Sequence, residues 1–282
     1  MDSKTLNPLA KHFRQPAIYF KLPSGGQYWK DGSLELPIIG EIPVFPMTAR
    51  DEITLRTPDA LLNGQGVVDV IQSCIPAIKN AWDMPSVDVD ASLVAIRIAS
   101  YGQSMDISTK CPHCSEENDY GVDLAMLLGT MTCPSYHKKV DAGNVKIKIK
   151  PQNYFSSNQT DQIRFEEQRI VQALSNDAVP EDVRLGEFSK HLQKIVDLNI
   201  KLLVDSTEYV ETDDGTIVTD KNYINEFYDK CETAIVQSIQ DKLRELSLEA
   251  EFKPMVTACH TCNEKFSIPL TFDYSRFFVK GS

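Results

Sequence analysis

Four of the seven cysteines lie in two close pairs, Cys111-Pro-His-Cys114 and Cys259-His-Thr-Cys262. The C-x-x-C spacing lets neighbouring thiolates turn toward one ion, and two such pairs supply the four sulfur ligands of a tetrahedral Zn(II) site. Because four cysteine ligands leave no coordination position open, the ion would brace the fold and would not catalyse a reaction. We therefore predict a structural Zn(II) ion bound by Cys111, Cys114, Cys259 and Cys262.

The two pairs are far apart in the sequence, but they lie in similar segments. Residues 115–258, 144 in all, separate them, whereas a simple zinc ribbon has a short loop at this point. Each segment has the pattern of a strand, a metal-binding turn and a returning strand, which predicts a zinc ribbon split by a long insertion. A shift of 148 residues aligns the cysteines and also aligns Ile107 with Met255, Thr109 with Thr257, Glu116 with Glu264, Tyr120 with Ile268, Val122 with Leu270 and Leu124 with Phe272.

Other chemistry of the cysteines fits the pattern less well. A thioredoxin-like dithiol should open a helix, but a strand pattern follows each pair, and a zinc-dependent enzyme would need a histidine or carboxylate in place of one cysteine. Cys133 and His137 have the i, i+4 spacing of residues that could bind a second ion or replace one of the four thiolates, but Pro134 disfavours a regular helix there. We expect a loop cysteine beside a surface histidine. Cys74 and Cys231 lie on apolar helical stripes and should pack as small hydrophobic residues.

The sequence contains no recognisable set of nucleophile, base and oxyanion donors. Asn63-Gly-Gln-Gly66 precedes a helix but lacks the Lys-Ser/Thr of a P-loop. Asp83, Asp88 and Asp90 lack the glycine and terminal glutamate of a calcium loop, and we expect them to cap the following helix. The sequence therefore predicts a protein that is not an enzyme.

The charge balance argues against a nucleic-acid partner. The chain has 29 basic and 40 acidic residues, a net charge of −11, whereas proteins that wrap a phosphate backbone are basic. Beyond residue 110 there are 19 basic and 28 acidic residues, a net charge of −9. A charged helical face is usually just solvated, but this acidic region could also meet a basic partner.

The apolar content indicates a folded protein, and the lack of a signal-peptide pattern indicates a reducing cytosol. Of the 282 residues, 42% are hydrophobic, which is enough for one large domain or two ordinary ones. No apolar run approaches the roughly 20 residues of a membrane span. The N-terminal region lacks the apolar core of a signal peptide, so we expect no secretion by that route.

The elements that must position the cysteines predict an α+β fold. Prolines and glycines break the N-terminal region into short strands, after which the spacing of apolar residues becomes helical and ends in a nearly apolar helix at Ser86 to Ser100. We expect that helix to be buried. We divide the chain into a β-rich segment (1–46), a helical core unit (47–104), a split zinc-ribbon module (105–125 plus 253–282) and a mostly helical insertion (126–252).

The insertion has its own pattern of elements. Residues 158–175, 187–205 and 221–250 have helical periodicity. Residues 145–150 alternate apolar residues with lysine, which predicts a strand and suits an exposed sheet edge. Asp213-Asp214-Gly215 predicts a hairpin turn.

A series of short motifs in the N-terminal part of the chain carries a resemblance to a known family. The motifs are Phe13-Arg-Gln-Pro16, Lys21-Leu-Pro-Ser-Gly25, Met47-Thr-Ala-Arg-Asp-Glu52, Thr57-Pro-Asp-Ala-Leu-Leu-Asn-Gly64, Val70-Ile-Gln-Ser-Cys-Ile-Pro76, Met84-Pro-Ser-Val-Asp88, Ile96-Arg-Ile-Ala99, Tyr101-Gly102 and Cys111-Pro-His-Cys114. With these motifs in order, roughly residues 13 to 125 resemble the baseplate proteins of T-even-like contractile-tailed bacteriophages, a group that contains a baseplate hub subunit and a related hub-assembly factor.

The resemblance implies a non-enzymatic role in building the central hub of a virus tail. Such a protein would be made in the host cytoplasm during assembly, would contact other phage baseplate hub proteins, and would end in the tail baseplate of the virion. Two roles remain open within the family. One is a structural subunit that stays in the particle, and the other is a transient assembly chaperone that is absent from the mature virion.

The segment from Thr48 to Ile78 is interrupted by proline and glycine, so we predict that it faces a partner. Charge reversal at Arg50, Asp51 and Arg56 should weaken association with other hub components in a pull-down, because attractive charge pairs would become repulsive. The melting temperature of the monomer should stay unchanged. Equal destabilisation of the monomer would contradict this prediction.

Overall fold

A computed structural model describes residues 7–57, 64–174, 181–270 and 277–278. Within these ranges the helices and the small antiparallel sheets alternate, which confirms the predicted α+β class. The strands are β1 (Ile18–Phe20), β2 (Ile42–Val44), β3 (Ser104–Lys110), β4 (Glu117–Asp123), β5 (Val140–Ala142), β6 (Val145–Ile149), β7 (Thr207–Thr212), β8 (Ile217–Val218), β9 (Met255–Ala258) and β10 (Lys265–Ile268). The helices are α1 (Ala49–Leu55), α2 (Gln65–Cys74), α3 (Ser86–Tyr101), α4 (Leu124–Thr130), α5 (Tyr154–Leu174), α6 (Glu181–Ser206), α7 (Lys221–Lys230) and α8 (Thr233–Ala250).

A first hydrophobic cluster surrounds α3. This helix is buried as predicted, because its sequence is apolar on most faces, and Ile96 has no exposed surface. Ile42 of β2 and Ile71 of α2 pack in the same cluster, so the short N-terminal strands share a core with the helices. Helix α2 ends at Cys74, before Pro76, as expected from a residue that lacks a backbone N–H donor.

Asp88 ties α3 to the loop that follows β1. Its carboxylate is fully buried and accepts hydrogen bonds from the N–H and hydroxyl of Ser24 at 2.8 and 2.5 Å and from the indole N–H of Trp29 at 2.9 Å. Burial raises the pKa of the Asp88 carboxyl, and these donors oppose that rise. Asp88 lies in the first turn of α3, as expected from the helix dipole, but it makes no capping hydrogen bond, since its oxygens bond to a distant loop.

A second hydrophobic cluster lies in the insertion. The sheet has the order β5-β6-β7-β8, and Ile147 and Val210 on its inner face pack against side chains of α6, α7 and α8. The alternation along β6 is confirmed, with the apolar residues buried and the lysines outside. The predicted edge position is wrong, because β6 pairs with β5 on one side and β7 on the other. Lysines on one face show that the face is solvated, but they say nothing about the strand's neighbours.

The remaining predictions for the insertion hold in outline. The turn at residues 213–215 joins β7 to β8, and the predicted helices at 158–175 and 187–205 correspond to α5 and α6. Residues 221–250 form two helices, because Cys231 and Glu232 have extended backbone with ψ values of 166° and 143°. No helix within the described ranges has the apolar length that a bilayer crossing requires.

Replacement of Asp88 with alanine would leave two buried donors on Ser24 and one partly buried donor on Trp29 without their acceptor. An unsatisfied buried donor costs about 1–3 kcal/mol, so we expect the free energy of unfolding, measured by urea titration, to fall by about 3 kcal/mol or more. Asp69→Ala is the control, because Asp69 is exposed on α2 and such changes stay within about 0.5 kcal/mol. Equal losses at the two positions would contradict the role of the buried network.

Candidate metal centre

The two predicted arms of the ribbon are antiparallel hairpins with the same register. Strand β3 pairs with β4 so that Lys110 lies opposite Glu117, and β9 pairs with β10 so that Ala258 lies opposite Lys265. Both pairs are related by the shift of 148 residues that aligns the cysteines. The predicted pattern of strand, turn and returning strand is therefore confirmed in both halves. Phe272, the last position of the alignment, lies outside the described residues.

The cysteine turns have matching backbone geometry. In the first, the N–H of Cys111 donates to the carbonyl of Glu116 at 2.9 Å, and the N–H of Ser115 donates to the carbonyl of Cys111 at 2.9 Å. The corresponding bonds in the second turn, from Cys259 to Glu264 and from Asn263 to Cys259, are both 3.0 Å. In each turn a backbone N–H also lies 3.4 Å from the first sulfur. Each turn thus directs a backbone N–H toward its own first sulfur atom.

The structure brings all four predicted cysteines together. Their sulfur atoms lie within 4.8 Å of one another, with Cys111 and Cys262 3.7 Å apart and Cys114 and Cys259 3.6 Å apart. A Zn–S distance of about 2.3 Å gives sulfur–sulfur edges of roughly 3.8 Å in a regular tetrahedron. A disulfide would need about 2.0 Å. The separations therefore fit four thiolates around one ion.

The pKa values of Cys259 and Cys114 shift in opposite directions, although the two thiols are close neighbours. Backbone N–H groups of Cys262 and Thr261 lower the pKa of Cys259 to about 6. At Cys114 the N–H of Glu116 also acts to lower the pKa, but burial and the neighbouring thiols outweigh it and raise the pKa to about 12. Four thiolates at this spacing repel one another, and a bound cation would offset that repulsion.

Two residues around the sulfurs break the symmetry of the repeat. The side-chain amide of Asn118 donates to the sulfur of Cys259 at 3.5 Å, although its counterpart in the repeat is Phe266. The hydroxyl of Tyr120 donates to the carbonyl of Ala258 at 3.2 Å and so links one arm to the other. The sequence analysis missed both roles. The one signal in the sequence was that the shift of 148 residues aligns a polar residue, Asn118, with an aromatic residue, Phe266.

Cys74, Cys133 and His137 do not belong to the cluster of four cysteines. Cys74 has no exposed surface, as predicted for a packed thiol. The Cys133 thiol donates to the carbonyl of Pro134 at 3.4 Å, and the backbone carbonyl of His137 accepts from Lys148 at 2.9 Å. Within the described residues, neither Cys133 nor His137 belongs to a group of three or more side chains that could hold a metal ion.

The residues predicted to contact a partner have different surroundings. Asp51 is buried, accepts from the backbone N–H and hydroxyl of Thr48, and forms an ion pair with Arg14 at 3.2 Å. Arg50 and Arg56 are exposed. Part of the surrounding segment, residues 58–63, lies outside the described residues. Because charge reversal at Asp51 would break an intrachain network, a clean test of partner contact changes only Arg50 and Arg56.

The chain matches one family model, described as T4 bacteriophage base plate protein, over residues 16–279. The chain belongs to this family. The match extends past the region of the resemblance and includes the insertion and the second cysteine pair, so both arms of this base plate protein lie within the family's span. Searches of curated proteins and of solved structures found no match.

We expect this base plate protein, purified without chelator, to contain one Zn(II) ion per chain. Elemental mass spectrometry of the purified protein measures this ratio. Cys259→Ser should abolish retention of the ion and lower the free energy of unfolding, because structural zinc contributes on the order of 10 kcal/mol to folding. Cys133→Ser is the matched control and should keep the ion.

If Cys259→Ser does not fold, the wild-type protein gives a second measurement. Removal of the ion with a chelator should lower the melting temperature, and added zinc should restore it. A metal-free chain with an unchanged melting temperature would contradict the site.

Proposed function

We propose that this protein is a non-enzymatic structural subunit of the baseplate hub, needed for assembly of the central hub and braced by one structural Zn(II) ion. The family match over residues 16–279 supports the baseplate role. The four convergent sulfur atoms support the brace. The hub is proposed on the resemblance carried by the N-terminal part of the chain.

The chemistry of the sulfur cluster favours a brace over a reactive centre. A catalytic zinc site keeps one position for water or substrate, and four cysteine ligands would occupy all positions of a tetrahedral ion. A redox dithiol of the thioredoxin type opens a helix, whereas each turn in this chain leads into a strand, β4 or β10. Both observations support a scaffold over a dithiol or zinc-dependent enzyme.

The proposed module comprises residues 105–125 and 253–282, with the insertion at 126–252 between its arms. The ion would join the arms directly, and the Tyr120 hydroxyl and the Asn118 amide would support the joint from one side. An insertion held at both ends by such a joint can present its outer surface to other subunits. Those subunits would be other baseplate hub proteins, met in the host cytoplasm during assembly.

The composition of purified virions tests the structural role. In a phage whose own copy of this gene is disabled, we expect wild-type protein supplied from a plasmid to restore particles and to be detected in them by mass spectrometry. Cys133→Ser should also restore particles, whereas Cys111→Ser should not, because it removes one of the four sulfur ligands.

The same experiment separates the competing roles. Restored particles that lack the protein would show a transient assembly chaperone and would overturn the structural role. Full complementation by Cys111→Ser would overturn the zinc brace and leave the baseplate role intact.

A further inference from the structure

A groove opens in the insertion where the β5–β6 turn faces the break between α7 and α8. One wall consists of residues 141–144, and the other consists of α7 and the first turns of α8. Its volume is about 800 Å³, within the range of roughly 300–1,000 Å³ of many binding sites in proteins. The groove exists because Cys231 and Glu232 interrupt the helical path and separate the two helices.

The groove is lined by the outer edge of the apolar face of α7. Ile224 and Tyr228 form the buried part of this face and are 1% and 4% exposed, and the Tyr228 hydroxyl lies 2.7 Å from that of Thr207. Phe227 lines the groove and also packs partly against the second hydrophobic cluster, whereas Tyr223 lines the groove and is 66% exposed. An exposed aromatic ring beside an apolar wall is typical of a contact surface.

The rim of the groove is acidic. Three carboxylates line it, those of Asp141, Glu226 and Glu232, against one lysine, Lys230, whose ammonium group lies 2.6 Å from Glu226. The lining therefore has a net charge of −2. Lys146 lies opposite Asp141 in the β5–β6 pair, but it also lies opposite Glu211 and does not line the groove.

We propose that this groove binds a basic segment of a partner protein. One or two apolar side chains of the segment would lie against Tyr223 and Phe227, and flanking arginines or lysines would face Asp141 and Glu232. Carboxylates pair well with guanidinium groups, and the net charge of −11 would attract a basic partner over a distance. The inference rests on the proposed function only for the source of the segment, another baseplate protein.

The test uses the full-length protein and a library of random twelve-residue peptides displayed on filamentous phage. We expect the enriched peptides to combine arginine or lysine with leucine or aromatic residues. Asp141→Lys with Glu232→Lys should lower the affinity of the best synthetic peptide about tenfold or more, measured by fluorescence anisotropy, and Tyr223→Ala should also weaken it. The matched control is Glu245→Lys with Glu249→Lys, which makes the same charge change on exposed residues of α8 that do not line the groove. This control should change the affinity less than twofold.

A peptide with its basic residues changed to glutamate supplies the second measurement. It should not bind the wild type but should bind the Asp141→Lys, Glu232→Lys variant, which a misfolded variant would not do. Failure to enrich peptides, enrichment without basic residues, equal effects of the groove and control variants, or absence of the charge-swap rescue would each overturn the inference. None of these outcomes bears on whether the protein is present in virions, so the proposed function is tested separately.

Discussion

Four sulfur atoms, two from each of two hairpins related by a shift of 148 residues, lie within 4.8 Å of one another. A two-stranded hairpin alone is marginally stable in water. Each hairpin therefore depends on the other, and an ion bound by the four sulfur atoms would stabilise both. The entropy of loop closure grows only with the logarithm of loop length, about 0.6 kcal/mol for each doubling. The free energy of zinc binding by four thiolates, on the order of 10 kcal/mol, would therefore exceed the extra entropic cost of closing a long insertion.

The second arm also continues into the main core. Leu270, Phe277 and Phe278 belong to the first hydrophobic cluster, and the guanidinium of Arg97 on α3 donates to the carbonyl of Phe277 at 2.5 Å. The core around α3 is thus completed by residues that follow the insertion. The second cluster also reaches the N-terminal region, because Tyr28 packs against Tyr136 with their ring centroids 5.6 Å apart. Packed elements thus connect the cysteine-bearing hairpins with the core around α3, and the N-terminal region with the insertion.

Local patterns predicted the parts of the fold that depend on near neighbours. The buried helix α3, the alternation along β6 and the hairpin at residues 213–215 all follow from periodicity and turn residues within short segments. The split at Cys231 and Glu232 was not predicted, because the apolar spacing continues across it from α7 to α8. The extended backbone at these two residues separates the helices, and both helices pack in the hydrophobic cluster of the β5–β8 sheet.

By itself the sequence determined the two cysteine-bearing hairpins, since both cysteine spacing and strand pattern repeat at one fixed shift. Only the tertiary structure decided that β6 lies inside its sheet, that Asp51 and Asp88 are buried acceptors, and that Asn118 faces the sulfur of Cys259. Each of these outcomes depends on a partner tens of residues away or on the neighbouring arm. Residue spacing records which side chains share a face of one element, whereas contacts between elements arise only when the whole chain packs.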